Sequence, residues 1–249
     1  MIDRHGKFFL KDTIRMMMDF STTPQNMGFA PPPLQKPIPA GASSIPLPGP
    51  GQWSPAIGKV SVREAIASRV SHRQFRSDPL TLEELAFLLW ATQGLRKQPS
   101  PAVAYHTVPS AGCRHALETY LAVFRVSGLE RGLYRYLPID HGLIALPAPV
   151  DLEAAVTRAA LGQRFVSRGA VTFLWSTIPA RMEWRYGEAS YKVIALDAGH
   201  VAQNLYLSCA AVGAGTCAVA AYDQMAADAL LELDGEGEFT LYMAPVGKV

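Results

Sequence analysis

Residues 190–212 read Ser-Tyr-Lys-Val-Ile-Ala-Leu-Asp-Ala-Gly-His-Val-Ala-Gln-Asn-Leu-Tyr-Leu-Ser-Cys-Ala-Ala-Val, and apolar side chains fall on every side of a helix drawn through them. A helix without a consistently polar face must be covered all round, so this one is expected at the centre of the fold. The wider stretch 193–219 comes nearest to a membrane span, but Asp197, His200, Gln203 and Asn204 interrupt it. No apolar run reaches the roughly 18–20 residues that a bilayer requires. A buried helix of a globular protein follows.

The chain has 249 residues, 49% hydrophobic and 18% charged, which suffices for one sizeable core or a domain with an appendage. A net charge of +2 is too small for a nucleic-acid binder, so any cationic focus has to be local. Cys113, Cys209 and Cys217 form no CxxC pair, and an odd count gives no complete disulfide framework. A reducing compartment fits this usage. Asp3, Arg4, Lys7, Lys11, Asp12 and Arg15 break up any signal-like start. A cytoplasmic protein without a membrane partner is expected.

Two regions separate by composition. Residues 1–56 comprise a helix over 1–20 and a proline-rich extended arm over 21–56, where Pro31-Pro32-Pro33, Pro37, Pro39, Pro46, Pro48 and Pro50 disfavour regular structure. The arm either wraps a partner subunit or hangs free. Residues 57–249 form the main domain. Ser61 with Glu64, and Thr81 with Glu84, are capping boxes that start helices ending near Ser68 and Gly94. Strands are expected over 119–126, 132–136, 171–177, 216–221 and 238–246, and further helices over 151–161 and 224–231. Strands and helices do not alternate, so the fold class is α+β.

Arg69, Ser71 and Arg73 stand at every second position, and an extended backbone would project all three from one face. Two guanidiniums and a hydroxyl suit phosphate oxygens, although alone the pattern more often marks an ordinary solvated surface strand, and it becomes informative only through the features that accompany it. The small-residue loop Pro109-Ser110-Ala111-Gly112 would let a flat ligand approach the backbone. Together the two segments suggest a flavin mononucleotide (FMN) site. Gly213-Ala214-Gly215-Thr216-Cys217-Ala218 spells G-x-G-x-x-A, but a helix precedes it, which is the reverse of a dinucleotide fingerprint. Gly213 is instead expected to stop the long helix in a left-handed conformation. Gly215, Cys217 and Ala218 then become backbone contacts for a ring. No histidine or cysteine spacing matches a metal site. A Cys113–His115 nucleophile lacks an orienting third group.

These motifs resemble, in order, those of the nitroreductase family, on the branch of SagB-type dehydrogenases related to thiazole/oxazole-forming oxidases. The marks are Arg69-x-Ser71-x-Arg73-x-Phe75, Pro79-Leu80-Thr81-Leu82-Glu83-Glu84-Leu85, Val108-Pro109-Ser110-Ala111-Gly112, Gly132-Leu133-Tyr134-Arg135-Tyr136, Asp197-Ala198-Gly199-His200 with Gln203-Asn204-Leu205, and Pro245-Val246-Gly247-Lys248. The resemblance implies a mostly antiparallel sheet flanked by helices in an intertwined homodimer, with FMN at the subunit interface. It implies that Arg69, Ser71 and Arg73 hold the phosphate and ribityl end, that Lys248 adds charge there, and that Pro109 to Gly112 meets the ring's edge from the other subunit. It places Ala220 and Ala221 where relatives offer a backbone N–H to flavin N5.

The activity so implied is ping-pong hydride transfer from NAD(P)H through FMN to a small electron-poor acceptor, such as a nitroaromatic or quinone. A dehydrogenase of a peptide-derived heterocycle reoxidised by oxygen is the alternative, and a non-enzymatic flavin binder a third. Arg185-Tyr186 stands where azoline-oxidising relatives carry Lys-Tyr, and Ala116 replaces a loop proline. Arginine does not give up its proton as a buried lysine can, so this pair is a substrate-side candidate without a base role.

Overall fold

The computed structural model describes residues 5–249; residues 1–4 of the expected N-terminal helix lie outside the described residues. The chain begins with α1 (His5–Leu10) and reaches β1 (Ser44–Pro46) and α2 (Val62–Ser68) through the arm. Then come β2 (Leu80–Thr81), α3 (Leu82–Gln93), the hairpin β3 (Leu95–Ser100) and β4 (Val103–His106), β5 (Leu117–Val123) and β6 (Val126–Ser127). Next are β7 (Gly132–Leu137), β8 (Gly142–Leu146), α4 (Leu152–Ala159), β9 (Val171–Thr177) and α5 (Ala180–Tyr186). The long helix α6 (Ser190–Ala210), β10 (Ala214–Thr216), α7 (Gln224–Leu230) and β11 (Phe239–Lys248) complete it.

Seven strands form one sheet in the order β1-β8-β7-β5-β9-β11-β10, and every neighbouring pair is antiparallel. Period-two alternation builds a core on each face. Leu121, Phe173 and Trp175 point to one side, where Leu85, Leu89, Val201 and Leu205 of α3 and α6 cover them. Tyr120, Leu174 and Met243 point to the other, beneath Val156 of α4 and Ala227 of α7. This is the expected α+β class, with helices on both faces of an antiparallel sheet.

Both capping boxes are present. The Ser61 hydroxyl accepts from the Glu64 N–H and the Thr81 hydroxyl from the Glu84 N–H, while each glutamate carboxylate accepts from the backbone of its cap. Gly213 has φ +59° and ends α6, as its sequence position demands. No helix among the described residues is long and apolar enough to cross a membrane.

Three expectations are corrected. The N-terminal helix shrinks to α1, and Thr13–Met16 and Phe20–Thr22 are short 3-10 turns. The arm does not hang free: Ser44, Ile45 and Pro46 pair with Ile144, Leu143 and Gly142 of the same chain. Within a single chain the long helix is not covered all round, because Ala195, Leu196, Gly199, His200 and Gln203 form an exposed stripe.

Candidate functional site

Beyond α2 the chain runs extended along the β10 edge of the sheet. Ser71 bridges to Thr216 in parallel, the His72 N–H donates to the Thr216 carbonyl at 2.9 Å, and the Arg76 N–H donates to the Lys248 carbonyl at 2.9 Å. An extended backbone pinned this way sends alternate side chains to opposite sides. Arg69, Ser71 and Arg73 are all exposed, as are Val70 and Gln74, whereas His72 and Phe75 turn inward, so the exposure does not follow a strict alternation. Two glycines make room for them. A Cβ on Gly215 would lie 2.5 Å from the His72 ring, and one on Gly247 would lie 2.9 Å from Phe75.

Among the described residues neither Arg69 nor Arg73 pairs with a carboxylate. Their guanidiniums rest on aromatic rings, Arg69 5.4 Å from the centroid of Tyr206 and Arg73 5.8 Å from that of Phe165. Two exposed cations flanking a hydroxyl at an open edge have the chemistry to take an oxyanion. Behind them lies a cavity of about 250 Å³ lined by Arg69, Val70, Tyr206, Gly213 and Gly215.

Tyr206 links this edge to the next segment. Its hydroxyl sits 3.0 Å from Ser71 Oγ and accepts the Ala218 N–H at 2.9 Å. Val219 then exchanges hydrogen bonds with Met243 in both directions, and Gln163 Nε2 donates to the Ala221 carbonyl at 2.8 Å. Ala220 and Ala221 are thereby held exposed between two fixed points. The row of cations and the loop carrying the candidate amides belong to one construction. The sequence gives no motif for Tyr206, since one tyrosine in an apolar helix reads as core. Its position nine residues after Asp197 is the sole hint, placing it near the helix end that meets the glycine turn.

Two candidates fit less directly. Lys248 Nζ lies 2.6 Å from Glu84 Oε1 and 2.6 Å from the Val212 carbonyl, so its charge is engaged inside the fold rather than offered to an anion. Glu84 already caps α3, and the lysine completes that corner. Cys217 is buried, leaving only its main chain to face a ligand.

The second group of candidates lies elsewhere along α6. The Ala111 N–H donates to both carboxylate oxygens of Asp197 at 3.3 Å, and Ser110 Oγ accepts the His115 N–H at 2.9 Å. Burial pushes the Asp197 carboxyl upward, against the downward pull of its hydrogen bonds from Ser110 and Ala111. Gly112 has φ +57°, and a Cβ there would lie 2.5 Å from Arg185 Cδ and 2.7 Å from the Tyr186 hydroxyl. Only glycine fits. Thus Pro109 to Gly112, Arg185 and Tyr186 are brought together, but apart from Arg69, Ser71 and Arg73. Nine residues separate Asp197 from Tyr206 on the same helix, about 14 Å at 1.5 Å per residue.

Just past this loop, His106 and His115 stack with ring centroids 4.0 Å apart. Burial, mainly, pulls their pKa values down to about 4 and about 3. Cys113 Sγ points at the Ala104 carbonyl (3.0 Å), is 3.6 Å from His115 Nε2, and has its thiol pushed up by burial. That is the opposite of an activated nucleophile.

The sequence profile described as "Nitroreductase family" matches residues 66–248. The chain is 33% identical over 195 residues to MJ1384 of Methanocaldococcus jannaschii, a protein named as a nitroreductase, covering 78% of this chain and 94% of that one. It is 30% identical over 131 residues to the trifolitoxin-processing protein TfxB of Rhizobium leguminosarum bv. trifolii, covering 51% of this chain and 35% of TfxB. A crystal structure from Ralstonia eutropha JMP134, titled as a nitroreductase, superposes with a TM-score of 0.68 at 26% identity, covering 89% of this chain and 95% of that one. A chain of the Escherichia coli microcin synthetase McbBCD complex shares the fold, with a TM-score of 0.61 at 16% identity over 100% of this chain and 98% of that one. With a profile match across most of its length, an antiparallel sheet of the same architecture, and the motif order set out above, the chain belongs to the nitroreductase family.

Proposed function

We propose that this protein is an FMN-dependent oxidoreductase that works as a homodimer and passes hydride from NAD(P)H to a small electron-poor acceptor, nitroaromatic or quinone-like. The observation that carries the reading is the exposed Arg69–Ser71–Arg73 row, whose arginines meet no carboxylate among the described residues and whose serine is tied through Tyr206 to the loop of Ala218, Ala220 and Ala221. The residues fit the cofactor: the cations and hydroxyl suit its phosphate, and small residues let main chain reach its ring. Bound there, FMN would supply a hydride-accepting N5. The N–H groups of Ala220 and Ala221 would offer hydrogen bonds to the electron-rich reduced ring without any side chain having to titrate.

The homodimer is supported by the exposed stripe on α6 and by the separation of the two candidate groups along it. A second copy packed against that stripe would bring its own Pro109–Gly112 loop to this chain's cationic row. Arg185, exposed and permanently charged, would orient an acceptor rather than move a proton. The likeness to TfxB favours a second reading, a dehydrogenase acting on a peptide-derived heterocycle with oxygen as the final oxidant.

Purified protein should be yellow, and NADPH under nitrogen should bleach it rapidly. Bleaching by a candidate heterocycle but not by nicotinamides selects the second reading, and bleaching by neither leaves a flavin binder. A preparation that takes up no FMN ends the proposal. Replacing Tyr206 by phenylalanine removes the hydroxyl shared by Ser71 and Ala218, and one such bond is worth about 1 kcal/mol. FMN binding, followed by quenching of its fluorescence, should weaken about fivefold.

A further inference from the structure

We propose that the N-terminal arm is a brace on the acceptor side: residues 18–36 hold α5 so that Arg185 and Tyr186 stand against Gly112, and this setting governs which acceptors are admitted. The acceptor part rests on the functional reading above; the mechanical part rests on contacts alone.

The arm grips α5 at three places. A Cβ on Gly187, at the end of α5, would lie 2.5 Å from Met18 Cε, so the chain leaves the helix directly under the arm. The Gln25 N–H donates to the Trp184 carbonyl at 2.9 Å, and Trp184 Nε1 donates to the Phe29 carbonyl at 2.9 Å. Farther along, the Lys36 N–H donates to Glu118 Oε1 at 3.0 Å, and that same carboxylate oxygen takes Arg181 of α5 in a buried ion pair. Lys36 Nζ also pairs with Glu238, which accepts from Tyr120 and Ser176. A proline-rich segment suits this work, because it stays extended without internal hydrogen bonds and leaves its carbonyls free to accept from side chains.

Trp184 passes the restraint on. The Arg114 guanidinium sits 4.8 Å from its ring centroid, and Arg114 belongs to the loop that contains Gly112. Arg181 adds a second tie through the His115 carbonyl at 3.3 Å. Gly112, Cys113 and His115 all have positive φ, so this loop keeps its shape only while its surroundings hold it. The arm, α5 and the loop therefore form one continuous set of contacts ending at the Arg185–Tyr186 pair. None of these contacts involves Arg69, Ser71 or Arg73.

The test uses the full chain with Trp184→Leu, which removes both the indole donor and the ring, and Trp184→Phe, which removes only the donor. Hydrogen–deuterium exchange of the flavin-free proteins reads the brace directly. In Trp184→Leu, amides of 110–115 and 181–187 should exchange about tenfold faster, with β5, β9 and the arm-distant residues 69–76 unchanged. Trp184→Phe should show a smaller change in the same peptides. Loss of protection confined to the arm overturns the brace. With FMN reconstituted to equal occupancy, the KM for the acceptor should rise about fivefold while kcat stays at the wild-type value. An unchanged KM overturns the control of acceptors. If wild-type protein is not reduced by NADPH, the functional reading fails while exchange still decides whether the arm positions the loop.

Discussion

Replacing Arg69 and Arg73 together by alanine is expected to give a folded, colourless protein. Each guanidinium is exposed, lacks a carboxylate partner among the described residues, and rests on an aromatic ring, so removing it leaves no buried charge behind. Stability should change little. Each charge-assisted contact to a phosphate is worth about 1.5–3 kcal/mol, so the pair together should weaken FMN binding by roughly two to four powers of ten. Riboflavin is the decisive control, because it carries the same ring without the phosphate. Titration should show wild-type and double variant binding riboflavin alike, with the difference appearing only for FMN. Equal losses for both ligands would mean that the arginines act on the fold or the ring instead.

Acid should begin to destabilise this protein below about pH 6.5, above the range of ordinary carboxylates, because of the stacked His106–His115 pair. Burial is the main cause of both low values, about 4 and about 3, and Arg181 beside both rings and Arg114 beside His115 push in the same direction. In the unfolded chain both rings bind protons near pH 6.5. Between that value and their folded pKa values the unfolded state holds more protons, so stability is complete above about pH 6.5 and falls as pH drops toward 4 and 3. Each histidine withholds on the order of 3 kcal/mol at the acid end of that window. Thermal melts from pH 7.5 to 4.5 should show a steep fall in Tm. A His115→Phe variant, which keeps a ring for stacking, should show a shallower one. A flat Tm in the wild type would mean that the pair opens to water.

Local chemistry made some of this architecture legible and left other parts hidden. The capping boxes at Ser61 and Thr81 are complete within four residues, so α2 and α3 begin where the sequence marks them. The strand Val171–Thr177 is buried on both faces, and its apolar and β-branched composition identified it to the residue. β1 could not be seen, because its strand character comes from pairing with Gly142 to Ile144 about a hundred residues away. The strand expected over 216–221 lies instead at Ala214–Thr216 and shares only Thr216 with that range, because the chain leaves β11 after Thr216, touches it again at Val219, and leaves Ala220 and Ala221 in a loop. At the candidate site the Arg-x-Ser-x-Arg alternation was readable from period two alone. Tyr206 and the pairing of Lys248 with Glu84 were not, since both depend on which elements meet at the end of α6.

The arm's short strand has a consequence for how these molecules behave in a crowd. A sheet margin with unpaired N–H and C=O groups is a template on which another chain can add itself. Here Ser44 to Pro46 covers the outer side of Gly142 to Ile144, and β1 is only three residues long and ends in a proline that has no N–H to offer. Proteolytic nicking between residues 48 and 60 would sever that cover from the rest of the sheet, and its release would bare the three residues it pairs with, Gly142, Leu143 and Ile144. Clipped material should then polymerise edge to edge and bind thioflavin, while the intact chain stays dispersed.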